Sequence, residues 1–494
     1  MKRASKAPNW YVETDTWIRL GDFTKALDQI EALRAADSIE AEHYVYGAEI
    51  YRRLGHPARA IQLLAPKVYP QGRLKQGVQK ALPSEIAEYA GSLIRLGATS
   101  EAMRLLKPLQ AADAPMKPLF QGLAHIHEWN YAAAVDPLTR ASQSLALGEY
   151  QRAIAQVNLV QSLTYVDDFA AARRLYEKLI PEFEHKKYTF LHFNVLSLAA
   201  MNECLAHQWE RSEWFLEKTR AASQALLVEG SYDLLVLEKA QAIAALYTQH
   251  DESLIIQTRA RAVRFQQPEI ARDCDLRLAL YHQDISQLAQ VYYFTPFQAY
   301  RDKIEQLAQQ EGLKIPAEWV ENEGASSEAW DLLQAPKLKT GHAISRLLHF
   351  LLSERYRTMR TTDLVSHIYP ESNLNFETSP DQLHQLIKRT RAYLKRSKIP
   401  LEIASTHEGF KLQFKKPMSV LHRKLPTYEL TLAAKLFVLY GYSDFKAMDA
   451  ARALGMTQQN VSVLLRREIA AGRVVRTWAG KNTRYCVLTY EKGK

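Results

Sequence analysis

The chain has 494 residues, 47% of them hydrophobic, and a formal net charge of +10 at pH 7. Such a length supports about two to four domains, and that apolar content excludes a largely disordered chain. No apolar run is long enough to span a membrane, and the basic start MKRASKAPNW lacks the apolar stretch of a signal peptide. Cys204, Cys274 and Cys486 are too few and too far apart for a disulfide framework or a CxxC metal knuckle. A cytoplasmic location follows as an expectation, with the cysteines as small buried hydrophobes.

The charge is uneven. Residues 342–494 hold 26 Lys and Arg against 12 Asp and Glu, a balance of +14, which leaves 38 against 42, or −4, for residues 1–341. A neutral-to-acidic body with a basic end is the asymmetry expected of a protein whose one end meets phosphate.

Residues 1–310 read as a helical array. Turns are predicted at Gly21, Gly55 and Gly97, with looser copies at Trp129, Asp167 and His207. Five residues after each turn stand Ala26, Ala60, Ala102, Ala134, Ala172 and Ser212; four further on stand Ile30, Leu64, Leu106, Leu138, Tyr176 and Leu216. Small residues recur seven before the turn, at Ala48, Ala90, Gly122 and Ala200. Small side chains at fixed offsets let antiparallel helices approach closely, and the apolar partner fills the groove beside them.

These positions resemble the tetratricopeptide repeat over roughly residues 10–250, weakening toward 310. The family's closing proline is displaced, with Pro66, Pro108 and Pro181 falling early, and the turn spacing varies. The resemblance implies an α-solenoid with a concave surface for a protein, peptide or small ligand. Holding or dimerising the rest of the chain is the alternative role, so a homodimer stays open. Residues 311–341 read as a linker with a short helix near Trp330.

Residues 342–418 begin with an apolar helix (Ile344, Leu347, Leu348, Leu351, Leu352). A second helix carries Leu364, Val365 and Ile368 and is stopped by Pro370. Ser379 is placed to cap a long third helix with Leu383, Ile387, Thr390 and Leu394 inside. Its outer face holds Gln382, His384, Gln385, Lys388, Arg389, Arg391, Lys395 and Arg396. Leu401–Ala404 and Phe410–Phe414 alternate as a hairpin around Glu408 and Gly409. The order of pieces, with Arg391 late in the third helix and the Gly409–Phe410 pair opening the last strand, resembles the OmpR/PhoB-type winged helix of response regulators. Thr390 stands where that family has an apolar residue, and no receiver domain precedes it.

Residues 424–491 repeat the plan. Ala447, Ala450, Ala451 and Leu454 are spaced as a helix ended by Gly455, and Thr457 is an N-cap for the next. Val461, Leu464, Leu465 and Ile469 form its inner face; Gln458, Gln459, Asn460, Ser462, Arg466 and Arg467 lie outside. Gly472 ends it, and Val474–Trp478 and Thr483–Leu488 alternate around a turn of Gly480, Lys481 and Asn482. This segment resembles the MarR-like winged-helix superfamily. The expected fold is mainly α: a solenoid similar to the tetratricopeptide type, followed by two winged helix-turn-helix (α+β) domains.

Glutamine and asparagine bond adenine in a bidentate way and arginine does so with guanine. Gln382, Gln385, Lys388, Arg389 and Arg391 of the first long helix are therefore candidate DNA contacts, as are Thr457, Gln458, Gln459, Asn460, Ser462 and Arg466 of the second. Lys411, Arg476, Lys481 and Arg484 on or near the hairpins are placed for phosphates or the minor groove. Only Lys415–Lys424 separate the two modules, so a single non-palindromic site read by both is expected, against a palindromic one formed by a dimer.

No GxxxxGK[ST], GxGxxG, HExxH or GxSxG element occurs. His125, His127 and Glu128 diverge on a helix, so no metal, cofactor or catalytic group is expected. Double-stranded DNA is the expected partner, without a membrane, and transcription regulation the expected role. Helical repeats ending in a winged helix also resemble subunits of the proteasome lid. That resemblance implies instead an assembly scaffold whose winged helices touch protein.

Overall fold

The computed structural model describes residues 7–69, 81–222, 232–322, 329–332, 343–369, 374, 379–424, 432–440, 443–454, 456–478, 480 and 483–488, the side chains at 233, 434, 435, 437 and 438 excepted. The chain is mainly helical with small sheets. It divides into two units, Met1–Asp284 with Phe297–Gln306, and Ile285–Pro296 with Leu307–Lys494. Among the described residues, no helix is long and apolar enough to cross a membrane.

The first unit is built from helical pairs: α1 (Asn9–Leu20) with α2 (Phe23–Ala35), α3 (Tyr44–Arg53) with α4 (Pro57–Val68), α5 (Pro83–Arg95) with α6 (Thr99–Leu106) and α7 (Lys117–His127) with α8 (Tyr131–Gln143). The series continues with α9 (Glu149–Tyr165) and α10 (Phe169–His185), α11 (Thr189–Leu205) and α12 (Trp209–Ala222), α13 (Tyr232–Gln249) and α14 (Ser253–Arg264), and then α15 (Pro268–Tyr281). Turns of two or three residues join each pair, so its members run antiparallel.

A left-handed residue stands at every turn that the sequence marks: Gly21, Gly55 and Gly97, but also Trp129, Asp167 and His207, with φ between 57° and 87°. The series runs on through His250 and Gln283. Asp22, Asn130 and Asp168 follow three of these turns and cap the next helix, each accepting a backbone N–H three residues on. All twelve residues at the two offsets after the turn, Ala26 through Ser212 and Ile30 through Leu216, are 0% exposed. The first helix of each pair packs on the first helix of the next.

The unit also folds back on itself. Phe23 meets Phe190 edge-on at 5.5 Å, and the guanidiniums of Arg19 and Arg53 lie 4.9 and 5.2 Å from the Tyr150 ring. Arg53 binds Asp15 at 2.6 Å and Glu49 at 3.4 Å. Burial works against its charge, but Glu49 and Asp15 outweigh burial and raise its pKa. Sequence offsets describe the helical pairs and say nothing of this closure.

In the second unit α16 (Ile285–Tyr293) and the end of α17 (Gln298–Gln310) precede β1 (Glu318–Asn322) and β2 (Ala329–Asp331). Then come α18 (Ala343–Ser353), α19 (Thr361–Ile368), α20 (Ser379–Arg396), β3 (Leu401–Ser405), β4 (Phe410–Phe414) and β5 (Ser419–Arg423). The chain ends with α21 (Leu432–Tyr440), α22 (Ala447–Ala453), α23 (Gln458–Ala470), β6 (Val474–Trp478) and β7 (Arg484–Val487). Trp330 thus lies on a strand, where the sequence predicts a short helix. The connector Lys415–Lys424 is also half strand: β5 sits between β1, antiparallel with Glu318 opposite Arg423, and β2, parallel with Ala329 opposite Ser419. Val420 is buried there, and Glu321 accepts from Arg355 at 3.1 Å and pairs with His422 at 3.0 Å. Long-range pairing overrides local signals too short to show a period.

The helix crossings predict a measurable coupling. A Cβ on Gly122 would lie 2.5 Å from Cγ of the fully buried Leu138. Gly122→Ala is expected to lower stability by about 1–3 kcal/mol in urea unfolding. Leu138→Ala alone opens a cavity and also destabilises, yet the double mutant should lose less than the sum. Strict additivity would show that this crossing is not the constraint.

Candidate nucleic-acid interface

The second unit contains the same arrangement twice: a helix, a single bridging residue, two helices and a hairpin. In the first copy Met359, just ahead of α19, exchanges both backbone bonds with Phe410 of β4, at 2.8 and 2.9 Å. In the second, Phe445, just ahead of α22, exchanges both with Tyr485 of β7, each at 2.9 Å. The second strand of each hairpin is therefore paired on both sides, with its hairpin partner and with the bridge. In the second copy, Ala433, Leu436, Phe445, Ala450, Ala451, Val461, Leu465, Val474, Tyr485 and Val487 make one core.

Helix α20 buries Leu383, Leu386, Ile387, Thr390, Tyr393 and Leu394 on one face. Thr390 is tolerated inside because its hydroxyl donates to the Leu386 carbonyl at 2.8 Å. Ser379 is the first residue of the helix, not its cap. Gln382, Gln385, Lys388 and Arg389 are exposed along the opposite face, and Lys411 is exposed on β4. Arg391 behaves differently. Its guanidinium donates to the Ile403 carbonyl at 2.9 and 2.6 Å and to Ser405 Oγ at 2.8 Å, bracing the helix against β3. Arg391 also borders a notch with His384, Lys388, Ser405 and Thr406.

In α23 the predicted cap is formed: Thr457 Oγ1 accepts the Asn460 N–H at 3.2 Å. Gln458, Gln459, Asn460 and Arg466 are exposed and Ser462 is half-buried. Glu468, which the inner-face reading leaves out, is buried and takes Arg473 at 2.7 Å. Gly472 ends the helix with φ of 68°. Arg476 is exposed on β6 and Arg484 half-buried on β7. Lys481, with the predicted stops Pro370 and Gly455 and the turn residue Asn482, lies outside the described residues.

The structure thus gathers one candidate set on α20 with its hairpin and the other on α23 with its own. Sequence reasoning missed the bridges Met359 and Phe445 and left Trp478 as mere strand. Cys204 and Cys274 are buried, and burial pushes each thiol up to about 12, which removes the thiolate a nucleophile needs. No protein-family model matches the chain, and no curated protein is significantly similar to it.

Gly409 predicts how tightly the first hairpin is held. Its φ is 145°, and a Cβ there would run into the carbonyl of Met359. Gly409→Ala is expected to cost at least about 2 kcal/mol and to speed hydrogen exchange at Met359 and Phe410. Gly472→Ala, left-handed but with open space around it, should cost only about 1 kcal/mol. Equal losses would mean that close approach to the bridge does not hold the hairpin.

Proposed function

We propose that the chain is a sequence-specific duplex-DNA-binding transcription regulator. Its basic end carries two winged-helix modules, and its helical array, similar to tetratricopeptide repeats, receives a protein, peptide or small ligand. The observation that carries this reading is the repeated helix–bridge–helix–helix–hairpin arrangement, each copy presenting an exposed amide and cation face on its last helix. The +14 balance over residues 342–494 supports it, since phosphate neutralisation supplies much of the affinity for duplex.

Helices α20 and α23 are the recognition helices in this proposal. Gln385, Lys388 and Arg389 of the first, and Gln458, Gln459, Asn460 and Arg466 of the second, face base edges in the major groove. Lys411, Arg476, Lys481 and Arg484 hold phosphates. Arg391, already committed to the hairpin, braces the interface without reading it. Strand β5 joins the modules through its own sheet, which favours one continuous site over two independent ones.

Binding of the full chain to random duplex, measured against salt, tests the proposal. The log–log slope should be steep, about −0.9 per phosphate contacted. Arg389→Ala with Arg466→Ala should relax base preference in a site-selection assay, by about 1–3 kcal/mol per lost contact. Arg391→Ala should instead loosen the hairpin and leave preference unchanged. A complex insensitive to salt, or none at all, would sink the assignment in favour of a protein scaffold.

A further inference from the structure

The second hairpin carries an apolar stripe on its outer face. Val474 opposite Val487, and Tyr485 opposite Arg476, set the inner register, and the two valines and the tyrosine lie in the core. Alternation turns Val475 and Cys486 outward, with Leu488 beyond them. A register shift between Arg476 and Trp478 brings Trp478 to that same side, opposite Arg484. Trp478 is 66% exposed, Leu488 54% and Val475 36%. A large indole held out by a bulge at the end of a strand is an expensive surface to leave in water.

Charge decides what covers it. Residues 458–488 hold Arg466, Arg467, Arg473, Arg476, Lys481 and Arg484 against the single acid Glu468, and Arg473 already neutralises that acid at 2.7 Å. A second copy of this face would set cation against cation. A duplex offers phosphates to the arginines and, at an opened step, a flat apolar base face to the indole. We infer that Trp478 is an apolar wedge that enters the minor groove and partly unstacks one base step, while Arg484, opposite it on the hairpin, holds a flanking phosphate. The inference rests on the proposed DNA binding.

Unstacking is cheapest at flexible pyrimidine–purine steps. The wedge therefore gives the protein a sequence preference at a step where no base hydrogen bond is made. Such a preference comes from deformability alone.

The probe is a duplex selected from a random pool by the full chain, carrying 2-aminopurine at each step in turn. Binding of the wild-type chain should raise emission several-fold at one step and bend the DNA in a gel-phasing assay. Trp478→Ala should abolish both signals, keep its unfolding midpoint and leave the salt slope unchanged. Trp478→Phe should retain part of each signal. Arg484→Ala should lower the slope by about 0.9 and keep the emission change. Equal emission and bending in wild type and Trp478→Ala would overturn the wedge while leaving DNA binding intact. Loss of self-association in Trp478→Ala, seen by sedimentation without any change in DNA distortion, would reassign the stripe to a protein interface. A wild-type chain that binds no duplex would remove the wedge together with the proposed function.

Discussion

A pair of backbone hydrogen bonds, made once in each module, decides where the hairpin sits on the helices. Two short strands joined by a turn are marginal in water. Pairing the second strand with Met359 or Phe445 ties it to a residue two positions before a helix begins, so strand register and helix start are fixed together. The first copy achieves the approach with Gly409, which has no Cβ to meet the Met359 carbonyl. The second has no glycine there and relies on aromatic packing. Tyr440 stacks on Phe445 at 4.7 Å, and Tyr485 lies 6.0 Å from Phe445 on the strand side. The same constraint is met by different chemistry in the two copies.

Much of the helical array is legible because its geometry is local. A left-handed turn, a small residue before it and two buried positions after it lie within about four helical turns of each other. Glycine advertises the conformation at 21, 55 and 97. At Trp129, Asp167 and His207 the residue type gives no such signal, and only the offsets to Ala134, Ala172 and Ser212 reveal the turn. His250 and Gln283 escape because the residues five on, Ile255 and Leu288, are not small either. Buried ion pairs are illegible for another. Lys239 meets Asp273 at 2.6 Å across 34 residues, and Arg173 holds the fully buried Glu203 at 2.6 Å across 30. In a sequence each looks like part of a solvated face, and only the fold shows which charge has left water with a partner.

Strands divide in the same way. The β3–β4 and β6–β7 hairpins are read from alternation and their turns, because each is closed within a few residues. Strand β5 finds β1 across about a hundred residues, and a five-residue run such as Ser419–Arg423 has too few alternations to separate it from a loop. Single-residue bridges have no period at all. Trp478 is visible in the sequence as a strand aromatic, but its outward aim depends on the bulge beside it, which no residue pattern declares.

The two long helices also differ in what their exposed faces offer. Helix α20 presents cations from its middle to its end, at Lys388, Arg389, Lys395 and Arg396, with glutamines in the first half. Helix α23 gathers Gln458, Gln459 and Asn460 into its first turn, where Thr457 fixes the backbone, and keeps arginine for its middle. First-turn side chains of a helix laid end-on into a major groove are the ones nearest base edges. Amides carry both a donor and an acceptor, whereas lysine is a point charge that suits a phosphate as well as a base. Within the proposed function this asymmetry divides the labour. The second module supplies most of the base discrimination, and the first, its hairpin locked by Arg391, supplies most of the grip on the backbone.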